Sequence, residues 1–154
     1  MSENKLAYQL KISKVEGSEL KADVIKSSED AYNFAKKFFF EDIGIFESFF
    51  IIIMNRANRP IGWYKIAQGG VSGVTVDIKI ICKVAVDSLA SGVILIHNHP
   101  SGSLIVSQED KDLTKKVKQA LSFLDIRLID HLIMTENGYN AFSNNEELRK
   151  YICS

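Results

Sequence analysis

Two of the three histidines in this chain, His97 and His99, stand two residues apart where an apolar run ends. The run VILIHNH (93–99) has the composition of a buried strand, and side chains at positions i and i+2 of a strand point to the same face. The two imidazoles are therefore expected to project together, with Asn98 on the opposite face. Imidazole nitrogens are ordinary zinc ligands, so the pair is a start for a metal site. The alternative is two partly exposed polar residues at a strand end.

Ser107 and Asp110 stand at the start of the next predicted helix. A serine followed three residues later by an acid resembles a capping box, which stabilises a helix terminus without any chemistry. The same helix start carries its positive end back toward the histidines, where a carboxylate in the first turn could serve as a third metal ligand. Glu109 competes with Asp110 for this role. The two lie about 100° apart around a helix, so they are not both expected to face one metal.

Hydrolysis at a zinc site also needs an open coordination position for water and a base that takes a proton from it. Glu47 is the candidate base, because it stands at the mouth of the most hydrophobic predicted strand, ESFFIIIMN (47–55). The alternative interpretation of Glu47 is a strand-end residue in solvent. Glu41, six residues earlier, is a second candidate for the base.

Hydrophobic periodicity predicts strands interleaved with helices. Alternating or continuous apolar runs predict strands over 7–15, 47–55, 61–68, 93–99 and 126–134, the second and third being antiparallel partners. Apolar residues at helical spacing predict helices over 27–40, 77–91 and 107–124, the second of them ended by Gly92. This order predicts one α/β sandwich domain with a mixed central sheet.

Composition limits the classes of function that fit the chain. The 154 residues are 46% hydrophobic and 25% charged, which is the balance of a soluble globular domain. Nineteen basic residues balance nineteen acidic ones, which argues against binding nucleic acid through the overall field. Cys82 and Cys153 are isolated, which argues against a disulfide framework and against a cysteine metal site. The polar N-terminus and the absence of a long apolar run predict a cytoplasmic protein without a membrane span.

Together, Glu47, the H-x-H at 97–99 and the S-x-x-D at 107–110 resemble the JAMM motif of the MPN domain. The bacterial RadC-like branch of that family is the most similar, because the segments HNHPSG, ESFFIIIMN, VDIKIICKVAV and DHLIM resemble its characteristic segments. The likeness covers about residues 28–142. It implies a cytidine-deaminase-like α/β sandwich as the domain of residues 28–154, preceded by an N-terminal strand or extension over residues 1–27.

The resemblance implies that His97, His99 and Asp110 bind one Zn²⁺, with water as the fourth ligand. Glu47 is then the general base, and Ser107 donates a hydrogen bond to the oxyanion or holds the water. The implied activity is that of a JAMM-type zinc metallopeptidase, which cleaves a peptide or isopeptide bond in a protein or peptide substrate.

Two departures from longer RadC-like proteins keep a second function open. Only about 27 residues precede the domain, so their helical N-terminal region is not expected here, and this weakens a role in DNA repair. The segment SLIV (103–106) is more apolar than the usual loop, which predicts packing against a partner or a second copy of the domain. The alternative function is a non-catalytic zinc-containing binding module from DNA metabolism or a mobile element. The presence of Glu47 favours the hydrolase.

The sequence also bears on a zinc-deaminase function and on the roles of Asp130 and His131. Zinc deaminases share the fold but need H-x-E or C-x-E together with P-C-x-x-C, and the sequence has neither. Asp130 and His131 are adjacent on a predicted strand, so they point to opposite faces and cannot both reach the metal. We expect a structural role, or a role behind the metal ligands, for these two residues.

Overall fold

In the computed structural model, which describes residues 6–39, 43–69 and 74–153, the apolar runs form a five-stranded sheet. Its strands are β1 (Ser48–Met54), β2 (Pro60–Gln68), β3 (Gly92–Asn98), β4 (Arg127–Thr135) and β5 (Gly138–Ala141), in the spatial order β2-β1-β3-β4-β5. Strands β3 and β4 are parallel, and the other neighbouring pairs are antiparallel. The predicted α/β fold with a mixed central sheet is confirmed.

Helices cover both faces of the sheet, which is why β1 and β3 are buried along their whole length. The helices are α1 (Ser28–Ala35), α2 (Ile78–Asp87), α3 (Gln108–Ser122) and α4 (Glu146–Arg149). One core contains alternate residues of β1 such as Ile51 together with residues of α2, α3 and α4. The other contains the intervening residues such as Ile52 together with residues of α1. The period of two in β1 thus divides its side chains between two cores.

The connection from β3 to β4 determines where the candidate site lies. Because β3 and β4 are parallel neighbours, α3 must run back along the sheet between them, and its N-terminus lies at the carboxyl end of β3. His97 lies at the end of β3 and His99 directly after it, and Ser107 and Asp110 lie at the N-cap and in the first turn of α3. The topology therefore places the two halves of the motif at one end of the sheet.

The predicted helix over 77–91 ends earlier than expected, and Gly92 does not end it. The helix stops at Asp87, and the left-handed residue that follows it is Leu89, with φ of 51°. Gly92 is instead the first residue of β3. A Cβ at this position would lie 2.5 Å from Cδ1 of Ile129, so a larger residue here would displace the Ile129 side chain of β4. The position of Leu89 in the turn leaves its side chain 85% exposed.

The predicted strand over 7–15 is wrong, since these residues form no regular secondary structure. Its alternating apolar side chains remain in solvent: Tyr8 is 76% and Leu10 82% exposed. Alternation produces a strand only where the segment pairs with a sheet edge, and residues 7–15 pair with neither edge strand, β2 or β5. The chain begins to pack at about Ile25, which is buried and whose N–H donates to the carbonyl of Asn58 at 2.8 Å.

The other elements differ from expectation mainly at their ends. The helix predicted over 27–40 ends at Ala35, while the remaining predicted strands agree with β1 to β4 within a residue or two. The short elements β5 and α4 were not predicted, because four residues are too few to show a period. None of the helices in the described part of the chain combines the length and apolar character needed to cross a membrane.

Candidate metal centre

His97 and His99 point to the same side of the sheet, as the i, i+2 spacing predicts. Their Nε2 atoms lie 3.1 Å apart. His97 is buried, and His99, the first residue after β3, is partly exposed. One imidazole is thus held inside the protein, and the other lies at the surface of the site.

Asp110 places one carboxylate oxygen against each imidazole. Its Oδ1 lies 3.1 Å from Nε2 of His97, and its Oδ2 lies 3.4 Å from Nε2 of His99. The predicted capping box is also present, since Oδ2 accepts from the N–H of Ser107 and Oγ of Ser107 accepts from the N–H of Asp110, both at 3.0 Å. The two interpretations of Asp110 are therefore compatible. Glu109, the competing acid, is exposed.

Glu47 approaches the histidines from the start of β1, the strand that neighbours β3. Among the described residues, Glu47, His97 and His99 form a group whose possible ligand atoms all lie within 4.8 Å of one another. Glu47 immediately precedes β1, and its position follows from the antiparallel pairing that sets Phe49 opposite His97. Glu41, the second candidate, lies outside the described residues.

The charges of the site favour a cation at its centre. The hydrogen bond to Asp110 raises the pKa of His99, against the opposing effect of burial. Burial by itself would raise the pKa of Asp110, but hydrogen bonds with His97 and His99 outweigh it and hold this pKa well below its usual range. An ionised carboxylate therefore faces two imidazole nitrogens, and positive charge is needed between them. A proton or a metal ion can supply this charge.

The donor set fits a small tetrahedral ion. Two ligands of a tetrahedral zinc ion, each bonded at 2.0–2.1 Å, lie about 3.3 Å apart. The three separations among His97, His99 and Asp110 are 3.1, 3.1 and 3.4 Å. Nδ1 of His99 lies 2.9 Å from the carbonyl oxygen of Ser103, which can only accept, so this nitrogen carries a proton and the neutral ring offers Nε2 as its bare ligand atom.

Asn98, which the alternation predicts to lie on the opposite face, has a role that sequence reasoning missed. Its buried amide accepts from the N–H of Ser48 at 2.7 Å and donates to the carbonyls of Ile43 and Phe46, both at 2.7 Å. Phe46 and Ser48 are the two neighbours of Glu47, so Asn98 fixes the backbone on both sides of the candidate base. No local pattern indicates this contact, because the partners are about 50 residues apart in the chain.

His131 lies behind the candidate ligands, whereas the side chain of Asp130 is bonded to Ser143. Nε2 of His131 lies 2.7 Å from Nδ1 of His97, on the side of that ring away from Asp110. The other nitrogen of His131 lies 2.7 Å from Oγ1 of Thr114. Asp130 accepts from the backbone N–H and the hydroxyl of Ser143. Thr114 had no signal in the sequence beyond its position one turn after Asp110 on the buried side of α3.

Comparison with known proteins agrees with this geometry. The chain matches the family profile of the RadC-like JAB domain over residues 25–148. It is 40% identical over 123 residues to a UPF0758 protein of Flavobacterium johnsoniae, which covers 80% of this chain and 53% of the relative. It is 39% identical over 118 residues to a UPF0758 protein of Coprothermobacter proteolyticus, which covers 75% of this chain and 50% of the relative.

A third relative, a UPF0758 protein of Porphyromonas gingivalis, is 38% identical over 99 residues, or 64% of this chain and 44% of its own length. The chain therefore spans about half the length of the curated relatives it matches. The match to the family profile covers most of the chain and includes Glu47, both histidines and the first turn of α3. By this match and by its fold, the chain belongs to the RadC-like JAB domain family.

Proposed function

We propose that this protein is a zinc-dependent hydrolase of the JAMM type, which cleaves a peptide or isopeptide bond. The observation that carries the proposal is the convergence of Glu47, His97, His99 and Asp110 from three separate elements on one point at the carboxyl end of β3. If His97, His99 and Asp110 are the ligands, Glu47 is a further, partly exposed acid beside them, in the place where a hydrolytic site needs a general base.

The proposed ligands of Zn²⁺ are His97, His99 and Asp110. A zinc ion held by three protein ligands supplies a Lewis acid and lowers the pKa of a water molecule to about 7. Glu47 then takes the proton from the water that attacks the carbonyl carbon and passes it to the nitrogen as the C–N bond breaks. The products are a carboxylic acid, which keeps the second proton of the water, and an amine; at neutral pH this second proton moves to the amine, which leaves a carboxylate and an ammonium group.

Ser107 is proposed to stabilise the negative charge that develops on the carbonyl oxygen. Its Oγ already accepts from the N–H of Asp110, and no described residue receives its hydroxyl hydrogen. That hydrogen is available to a substrate oxygen. The N-terminus of α3 adds the positive end of the helix dipole near the same position.

The first experiment measures the metal content of protein purified with a histidine-free tag. We expect about one zinc ion per chain in the wild type and little in His99→Ala or Asp110→Ala, because each variant removes one of three ligands. Glu109→Ala is the matched control, since it removes the neighbouring exposed acid, and it should keep the metal. A wild-type protein that remains metal-free in excess zinc would contradict the proposal.

The second experiment separates catalysis from metal binding. Glu47→Gln keeps the size of the side chain but cannot take a proton, so we expect metal content to be retained and cleavage of a peptide or isopeptide library to fall by about 10²–10⁴-fold. Equal cleavage by both proteins would show that Glu47 is not the base. Zinc binding without any cleavage by the wild type would instead support the alternative, a non-catalytic binding module.

A further inference from the structure

A chain of three hydrogen bonds runs behind the candidate metal ligands, through Thr114 and His131. We propose that Thr114 and His131 are positioning residues, which fix the proton of His97 on Nδ1 and so keep Nε2 of His97 free as a ligand atom. The inference rests on the proposed metal site but concerns two residues that are not themselves ligands.

Thr114 determines the direction of donation along this chain of hydrogen bonds. Its hydroxyl donates to the backbone carbonyl of Asp110 at 2.6 Å, an acceptor that has no hydrogen to give. A hydroxyl has a single hydrogen, so Oγ1 of Thr114 must act as the acceptor toward Nδ1 of His131, 2.7 Å away. The proton of His131 is therefore on Nδ1.

The second step is at His131. This residue is completely buried, and its two ring nitrogens face the hydroxyl of Thr114 and the ring of His97 rather than a carboxylate. Because a buried charge without a partner of opposite charge is costly, the ring is neutral and carries one proton. Because that proton is on Nδ1, Nε2 of His131 accepts from Nδ1 of His97 at 2.7 Å. A neutral His97 then has no proton on Nε2, the atom that faces Asp110.

Packing holds the planes of the two rings in place. The ring of Phe49 stacks on His97 with 14° between the planes, and the ring of Phe142 stacks on His131 with 13° between them. His97, Thr114 and His131 are 1% exposed or less, so water does not provide an alternative donor or acceptor. The chain of hydrogen bonds also joins two candidate ligands, since it begins at the backbone of Asp110 in α3 and ends at the ring of His97 in β3.

The test uses a pair of variants at Thr114. Thr114→Val keeps the shape of the side chain but removes the acceptor, so the proton of His131 is expected to move to Nε2. It would then donate to Nδ1 of His97, and the proton of His97 would move to Nε2, where it blocks the ligand atom. Thr114→Ser keeps the hydroxyl and is the matched control.

The primary readout is the tautomer of each ring in metal-free protein, from long-range ¹H–¹⁵N NMR spectra, which three histidines keep simple to assign. We expect Nδ1–H for His97 and His131 in the wild type and in Thr114→Ser, and Nε2–H in Thr114→Val. The second readout is the zinc dissociation constant by competition with a chelator, which we expect to rise about 10–100-fold in Thr114→Val alone. His131→Gln, which retains an acceptor and a donor, should bind zinc more tightly than His131→Phe.

The outcomes distinguish this inference from the proposed function. A wild-type His97 with its proton on Nε2, or equal zinc affinity in the valine and serine variants, would overturn the positioning role even in an active enzyme. A wild type that binds no zinc would contradict the proposed function, while the NMR result would still decide the direction of the chain. If Thr114→Val does not fold, the wild-type tautomers and the zinc affinities of the two His131 variants still test the positioning role.

Discussion

The Asn98 side chain is bonded to both neighbours of Glu47, to the N–H of Ser48 and to the carbonyl of Phe46. The strand alternation correctly predicts that Asn98 points away from the histidines. The partners of Asn98, Thr114 and His131 could not be predicted, because each hydrogen bond joins residues that only the tertiary fold brings together. An amide or hydroxyl is compatible with many partners, and its type alone selects none of them.

Replacing Asn98 with aspartate should destabilise the protein. The carboxylate could still accept from the N–H of Ser48, but it would leave the carbonyls of Ile43 and Phe46 without a donor. Each lost hydrogen bond of this buried side chain costs about 1–2 kcal/mol, so we expect the free energy of unfolding in urea to fall by about 2–4 kcal/mol.

The control for Asn98→Asp is Asn55→Asp. The side chain of Asn55 accepts through Oδ1 from the N–H groups of Ala57 and Arg59, a role that a carboxylate can also fill. We expect this control to change the free energy of unfolding by less than about 0.5 kcal/mol. Equal losses for both variants would show that the bonds of the Asn98 amide group to the 43–46 turn do not matter.

At the scale of the elements, periodicity predicted the types of the long helices and strands but not their ends. The helix end at Asp87 was misplaced because a glycine near a helix C-terminus usually occupies the left-handed position. Here Leu89 occupies that position, and its turn is closed by the N–H of Ala90, which donates to the carbonyl of Ala85 at 2.9 Å. Gly92 has a different effect, since the absence of a Cβ leaves room for the side chain of Ile129 on the neighbouring strand.

Leu89→Gly is therefore expected to stabilise the protein. A left-handed conformation costs a residue with a Cβ about 1–2 kcal/mol, and the Leu89 side chain buries little surface that would be lost. Allowing for the greater backbone freedom of glycine when unfolded, we expect a gain of about 0.5–1 kcal/mol in chemical denaturation. Leu89→Ala removes the side chain but keeps the Cβ, so it should give no comparable gain. The same result for glycine and alanine would mean that Leu89 is not strained.

At the scale of the whole molecule, one sheet separates two cores, and the candidate site lies at the end of the sheet where β3 meets α3. The fold class could be predicted because strands and helices of this length carry clear periods. The N-terminal segment could not, because its alternation is the same whether or not a partner strand exists. The exposure of Tyr8 and Leu10 depends on the tertiary fold and not on the local sequence pattern.

The double variant Tyr8→Ser/Leu10→Ser should unfold at the same temperature as the wild type, within about 1 °C, because neither side chain is buried. Ile25→Ser is the control, since Ile25 is buried in the core beside α1, and it should lose about 2–3 kcal/mol. A clear loss of thermal stability in the double variant would show that residues 7–15 do pair with a strand.

The dispersal of the candidate ligands along the chain also has a consequence for the order of folding. Glu47 and His97 come together only when β1 and β3 pair, and His131 reaches His97 only when β4 joins them. Such distant pairings form late, because long loops must close first. An unfolded chain offers a cation little more than the local H-x-H pair. Metal binding should therefore follow folding, and only molecules in which the sheet has formed completely would contain the bound metal.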